Sequence, residues 1–188
     1  MKRIAVFASG NGSNAEHITR YFAESSLARV EAIYCNNPKA HVIRRATNLK
    51  VPLVLFDREK FYASDVVLRD LQSRNIDLIV LAGFLWLMPG SITRVFSQKI
   101  VNIHPALLPL YSGKGMFGDN VHEAVVEAGE KESGITIHLI DEVYDHGAIL
   151  LQVKCKLTPD ETPESLAEKI HQLEYEHYPK VIEQLLEE

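Results

Sequence analysis

The sequence is poor in features that mark several whole classes of protein. Its 188 residues hold two cysteines, Cys35 and Cys155, too few for a disulfide framework. Both fall in apolar, strand-like runs, so the expectation is two reduced core thiols. No apolar stretch approaches the ~20 residues that a membrane-spanning helix needs. The N-terminus, Met1-Lys2-Arg3-Ile4-Ala5-Val6-Phe7-Ala8, starts basic and turns apolar, but the run is shorter than the roughly 7–15 residues of a signal core. A basic excess is missing too. Lys and Arg total 20 against 25 Asp and Glu, a net charge of −5, whereas nucleic-acid binders carry cations that displace phosphate counterions. Internal repeats, low-complexity tracts and linkers are absent. These deficits predict a cytoplasmic chain that partners neither nucleic acid nor membrane.

What the sequence has is an ordinary globular composition, 46% hydrophobic and 24% charged. Its length suits one domain, which typically buries roughly 70% of the surface its unfolded chain exposes. Short apolar runs alternate with longer amphipathic segments, the signature of βαβ units. Strands are expected at Arg3 to Ala8, Val30 to Cys35, Leu53 to Phe56, Leu78 to Ala82 and Ile100 to Ile103. The fourth is the most apolar and so should be central. Helices are expected at Ser13 to Ala23, His41 to Lys50 and Ala63 to Arg74, with Asp57 as a cap before the last and Pro89 opening a short one. After Pro105 the alternation loosens into a long loop, Leu107 to Asn120, and a helix, Val121 to Ala128. Ile135 to Ile140 and Ile149 to Leu157 are close enough in sequence to pair antiparallel. Thr162 and Pro163 open a final helix whose inner stripe reads Leu166, Ile170, Leu173, His177, Val181 and Leu185. The fold class is therefore α/β: a mostly parallel, twisted, Rossmann-like sheet with helices on both faces and antiparallel strands added in the C-terminal part.

Ser9-Gly10-Asn11-Gly12-Ser13-Asn14 joins the first strand to the first helix. Glycines there let backbone approach a ligand closely, and a helix N-terminus offers unpaired N–H groups to a phosphate. A self-capped tight turn is the plain alternative. Gly10, Gly12 and Ala15 also fit a dinucleotide fingerprint, which calls for an acid about 20 residues on that binds ribose. The second strand ends Tyr34-Cys35-Asn36-Asn37 instead, so a phosphate monoester is favoured over a dinucleotide.

Asn102-Ile103-His104-Pro105 ends the fifth strand, and alternation puts Asn102 and His104 on one face. In open α/β sheets ligands bind beyond the carboxyl ends of the strands. An amide donor and an imidazole there are suited to stabilising a tetrahedral intermediate in acyl transfer. A carboxylate near His104 would hold its charged form. Asp141, Glu142 and Asp145 are all candidates, and spacing does not choose among them. No nucleophile elbow is present, and the spacings of His104, His122, His138 and His146 match no zinc pattern, so no metal is expected.

These residues carry a resemblance. Gly10-Asn11-Gly12-Ser13-Asn14, Leu81-Ala82-Gly83-Phe84, Asn102-Ile103-His104-Pro105 with Leu107-Leu108-Pro109, Gly134-Ile135-Thr136-Ile137-His138 and Asp145-His146-Gly147 follow in order as in the phosphoribosylglycinamide formyltransferase family of folate-dependent enzymes. The resemblance spans essentially all 188 residues and implies one formyltransferase domain, 1–188, with a phosphate-binding half (1–100) and a folate-binding and catalytic half (101–188). It implies transfer of a formyl group from 10-formyltetrahydrofolate to the amine of glycinamide ribonucleotide, with Asn102, His104 and Asp145 catalytic. Gly12, Ser13 and Asn14 would hold the phosphate, Glu174 the sugar hydroxyls, and His171 would lie towards the phosphate. Arg58, Leu85, Trp86, Leu87, Met88, Asn102 and Asp141 would meet the folate, with Gly113 to Gly118 as a lid whose three glycines and length depart from the family's shorter loop. A related deformylase carries an N-terminal regulatory domain, and the initiator-tRNA formyltransferase a C-terminal barrel, neither of which is expected here. A non-catalytic nucleotide-binding module would need the glycine loop but not Asn102, His104 and Asp145 together. Monomer and homodimer remain open.

Overall fold

A computed structural model describes residues 1–140 and 147–187. Seven strands form one sheet: β1 (Lys2–Phe7), β2 (Ala28–Cys35), β3 (Leu53–Leu55), β4 (Leu78–Leu81), β5 (Ile100–His104), β6 (Glu132–Leu139) and β7 (Ile149–Lys156). Their spatial order is β3-β2-β1-β4-β5-β6-β7. The first five run parallel, while β6 is antiparallel to β5 and β7 to β6. The expected fold class is observed. β4 is the middle strand and all four of its residues are buried, as its unbroken apolar run demands of a strand covered on both faces.

Strand alternation divides the core in two. Ile4, Val6 and Ala8 point to one face, where α1 (Ser13–Tyr21), α2 (Val42–Leu49), α5 (Asp119–Glu127) and α6 (Pro163–Glu187) pack. Ala5 and Phe7 point to the other, covered by α3 (Val66–Ser73), α4 (Gly90–Val95) and a wide helical turn, Glu59–Ala63. That turn replaces the start expected for α3 at Ala63. Asp57 caps it, its Oδ1 accepting from the Lys60 N–H at 2.9 Å. The two thiols are free but unequal: Cys35 is buried, whereas Cys155 on the edge strand β7 is only half-buried.

The stripe expected on α6 is rotated. Leu166, Ile170, Val181 and Ile182 are buried, but so are Glu174 and Tyr178, while Leu173, His177 and Leu185 lie at its margin. The spacing of apolar residues does not reveal this, because Glu174 and Tyr178 occupy the centre of the inner face. The Tyr178 hydroxyl lies 2.9 Å from the Leu81 carbonyl and 3.0 Å from that of Val101. It thereby ties α6 to the ends of β4 and β5.

The chain winds outward from β1 through β2 to β3, then returns to place β4 on the other side of β1. This reversal opens a crevice beyond the strand ends, where a doubly wound sheet takes its ligands. The Ser9 N–H donates to the Gly83 carbonyl at 3.0 Å, stitching the two loops that flank it.

Candidate active site

A cavity of about 1020 Å³ occupies this crevice, the upper end of the range for small-molecule sites. It is lined by Gly12, Ser13, Asn14, Arg58, Leu85, Trp86, Leu87, Met88, Asn102, His104, His171 and Glu174. Residues from positions near 10, 60, 85, 103 and 172 thus converge. Asp141 and Asp145, together with Glu142 and His146, lie outside the described residues.

At one end the loop after β1 enters α1. Gly12 takes a left-handed conformation at φ 76°, and α1 has no side-chain cap among the described residues. The self-capped alternative therefore fails, and the first N–H groups of the helix remain available to a ligand. The Asn14 amide nitrogen donates to Glu174 Oε2 at 2.8 Å, joining residues 160 apart in sequence. Glu174 is 6% exposed. Burial pushes its carboxyl pKa up to about 7, against a smaller lowering by the Asn14 hydrogen bond. His171, one turn earlier on α6, stands exposed at the same rim.

The other end is aromatic. Trp86 packs 5.9 Å from Phe61 and 6.1 Å from Phe56, ring centre to ring centre. The Arg58 guanidinium sits 4.7 Å above the Trp86 ring, within cation–π range. Tyr62 donates its hydroxyl to the Leu87 carbonyl at 2.9 Å. The run Leu85 to Met88 is split in role: Met88 is buried in the core beneath the site, whereas Leu85 is exposed. The Leu85 N–H donates to Ser9 Oγ at 3.0 Å, so this shelf and the glycine loop share an anchor.

Asn102 and His104 line the same cavity from the end of β5, on one side of the strand as alternation requires. The antiparallel register sets His138 directly opposite Asn102. Asn102 Nδ2 is 3.1 Å from His138 Nε2, and His138 Nδ1 is 3.0 Å from the Leu139 carbonyl. The carbonyl must accept, so Nδ1 carries a proton and Nε2 accepts from the Asn102 amide. One of the two amide hydrogens of Asn102 is spent on this contact, and the side chain is thereby oriented. His104 is 3% exposed, and its Nε2–H donates to the Tyr111 carbonyl at 2.7 Å.

The long loop after His104 is pinned at its base. Thr136 donates its hydroxyl to the Ala106 carbonyl at 2.7 Å and accepts from the Leu108 N–H at 3.0 Å. Gln152 donates to the Leu108 carbonyl at 2.9 Å. Beyond this base, Gly113 to Gly118 line the cavity, and Asn120 holds the Gly115 carbonyl at 2.9 Å.

Two residues that line the cavity, Tyr62 and His122, and one that backs Asn102, His138, have no role assigned by the sequence. In the sequence His138 stands as one histidine among several and as the end of the run Gly134-Ile135-Thr136-Ile137-His138, neither of which points to Asn102. Its cross-strand pairing with Asn102 would have revealed it once β5 and β6 were aligned. His122 on α5 is 3% exposed, and its Nδ1 has no hydrogen-bond partner among the described residues. Burial, then the neighbouring His171, lower its pKa below the usual imidazole value. Tyr62 carries no sequence signal, since its role follows from the wide turn. No group of three or more His, Cys, Asp or Glu among the described residues is placed to hold a metal ion. No helix among them is long and apolar enough to cross a membrane.

Comparison with known proteins bears on this geometry directly. The formyl transferase family profile matches residues 2–182. Phosphoribosylglycinamide formyltransferase from Bacillus subtilis is 38% identical over 99% of this chain and 95% of its own length. The enzyme of the same name from Haemophilus influenzae is 36% identical over 97% of this chain and 86% of its own. Among solved structures, glycinamide ribonucleotide transformylase 1 from Geobacillus kaustophilus superposes with a TM-score of 0.89 at 41% identity, covering 99% of each chain. With a profile match over nearly its whole length and full-length relatives above 30% identity, the chain belongs to the formyl transferase family.

Proposed function

We propose that this chain is a phosphoribosylglycinamide formyltransferase. It moves the formyl group of 10-formyltetrahydrofolate to the amine of glycinamide ribonucleotide, giving formylglycinamide ribonucleotide and tetrahydrofolate in purine biosynthesis. One observation carries the reading. A cradle for an anionic sugar (Gly12, Ser13, Asn14, Glu174) and an aromatic shelf beside Trp86 open into one cavity, which Asn102 and His104 also line. The full-length relatives carry the same name.

The chemistry follows from charge. The substrate amine attacks the formyl carbon, forming a C–N bond and driving the carbonyl electrons onto oxygen. The remaining N–H of Asn102 is suited to donate to that oxyanion, and a protonated His104, whose Nε2–H goes to the Tyr111 carbonyl, adds a positive charge beside it; fixed groups in a site shielded from water act most strongly. Collapse breaks the bond to folate N10. The amine gives up one proton and N10 gains one, so the transfer balances without an outside acid or base. The fixed orientation of Asn102 against His138 supports its role as the oxyanion donor. Asp145, on the resemblance, would pair with His104 and position the water that relays the proton.

The fit to a flat pterin rests on the shelf. Its main-chain groups and apolar side chains around Leu85, Leu87 and Met88 line one wall, and Arg58 offers a cation to the acidic tail of the folate. Ser13 and Asn14 at the head of α1 suit a phosphate monoester.

The test is a spectroscopic assay with a 10-formyl folate, with and without glycinamide ribonucleotide. Turnover that requires the amine is the expected result. Turnover without it selects the deformylase alternative, and no turnover selects a non-catalytic nucleotide-binding module.

A further inference from the structure

Donors in the loop Gly10 to Asn14 are of little use to a phosphate unless the loop holds one shape, and its two glycines do nothing to enforce one. The enforcement comes from α2. The Val42 N–H donates to the Gly10 carbonyl at 3.1 Å. The Val42 side chain also fills the space beside Gly12, where a Cβ would stand 2.3 Å from Val42 Cγ2. One turn further along α2, Arg45 closes the arrangement. Its Nε donates to the Asn11 carbonyl at 2.9 Å and its Nη2 to Asn11 Oδ1 at 2.6 Å. Its Nη1 bonds Glu16 Oε2, on the first turn of α1.

The electrostatics give this clamp its meaning. Two oxygens of Asn11 and a full carboxylate on Glu16 stand at the very turn that should receive an anion. Left free, each would repel a phosphate dianion or swing into its seat. Arg45 engages all three with one planar fork, and Arg20 takes the other Glu16 oxygen. The two guanidinium groups hold the Glu16 carboxyl below its usual range. Asn11 borders the cavity, whereas Arg45 is not among the described residues that line it.

We infer that Arg45 is a positioning residue for recognition of the substrate's phosphate. It holds the oxygens of Asn11 and Glu16 on its own guanidinium, leaving the N–H groups of Gly12 to Asn14 to face the anion. This rests on the transferase reading, and it adds a specificity determinant that never touches the substrate. Lysine would keep the charge but lose the fork.

The experiment compares wild type, Arg45→Ala and Arg45→Lys. Each is assayed with glycinamide ribonucleotide and with the dephosphorylated glycinamide riboside, and folate is varied separately. Arg45→Ala should raise KM for the ribonucleotide about tenfold, the scale of losing charge-assisted hydrogen bonds. Its kcat, its KM for folate and its kcat/KM for the riboside should stay within about twofold. Arg45→Lys should recover only part of the loss. An unchanged ribonucleotide KM, or an equal fall in kcat/KM for the riboside, overturns the inference. If Arg45→Ala does not fold, Arg45→Lys decides: a ribonucleotide KM equal to wild type overturns the idea, and a rise of about threefold with the riboside unaffected upholds it. Wild type without amine-dependent turnover would instead overturn the transferase reading itself.

Discussion

The two ends of the cavity are built on opposite plans. The end proposed for the sugar phosphate is polar and assembled from distant pieces: Asn14 meets Glu174 and Asn11 meets Arg45. The end proposed for folate is aromatic and mostly contiguous, with Phe84 and Trp86 from one short run packing on Phe56 and Phe61. A small dianion is recognised by donors whose directions must be fixed, so that end needs partners across the fold. A flat apolar ring is recognised by area, which a packed cluster supplies without directional bonds. The contrast implies that the two substrates can be weakened separately.

The largest effect should come at the end of β5. His104→Ala and Asn102→Ala should each lower kcat by about 10²–10³, the usual loss on removing a group that stabilises an oxyanion. KM for either substrate should change little, and circular dichroism should match wild type. Asp145→Ala should fall in the same class. A variant that keeps wild-type kcat leaves the mechanism, and one that raises a single KM belongs to that end of the cavity instead.

Next comes Glu174, whose burial raises its pKa from 4.5 to about 7. A raised carboxyl pKa favours the neutral form in the folded protein. Its contribution to stability is therefore intact below pH 4.5 and is lost progressively up to about pH 7. Glu174→Gln keeps an oxygen for Asn14 but does not titrate. Its Tm should match wild type near pH 4.5 and exceed it increasingly up to about pH 7, with a plateau above. The plateau is on the order of 3 kcal/mol. Parallel Tm curves would mean that the carboxyl is not held in a dry site, and the polar end would lose its costliest component. The same variant should bind the ribonucleotide less well, because a neutral amide replaces an acceptor for sugar hydroxyls.

The sequence reveals the fold and the centre of the site for physical reasons. Unbroken apolar runs mark β1 and β4, and period-two alternation in β5 places Asn102 and His104 on one face. What it hides is long-range polar pairing. Nothing local in Glu174 distinguishes a buried acid from an exposed one on a helix rich in glutamates, so periodicity points the inner stripe of α6 through Leu173 and His177 instead. Nothing local joins Arg45 to Asn11 either, since hydrogen bonds across 34 residues leave no periodicity. The wide turn at Glu59–Ala63 is hidden as well, because its shape is set by Phe61 seating in the aromatic core.

Separability of the two ends is tested most directly at the loop. Ser13→Ala combined with Asn14→Ala should raise KM for the ribonucleotide about tenfold while KM for folate moves less than twofold. Loss of hydrogen bonds to a charged group is of that size. The Asn14 change also strips the partner from Glu174, so the double variant should shift the pH range of its Tm curve further upward. Equal effects on both KM values would contradict the assignment of this end to the phosphate.

The smallest effect is expected at Arg58. It is exposed, and its guanidinium lies over Trp86 at 4.7 Å. Exposed cation–π contacts are worth about 0.5–1 kcal/mol, and an exposed cation facing an acidic tail adds little more in water. Arg58→Ala should therefore raise KM for folate only about three- to fivefold and leave the ribonucleotide unaffected. Salt separates the two contributions. Attraction to the folate carboxylates is screened over a Debye length of about 8 Å at physiological ionic strength, whereas the ring contact is not. The wild-type advantage should accordingly shrink, without vanishing, as salt rises from about 0.05 to 0.5 M. An advantage independent of salt would assign Arg58 to bracing the Trp86 shelf rather than to meeting the folate tail. A matching rise in KM for the ribonucleotide would show that the aromatic and polar ends act as one unit, against the contrast drawn between them.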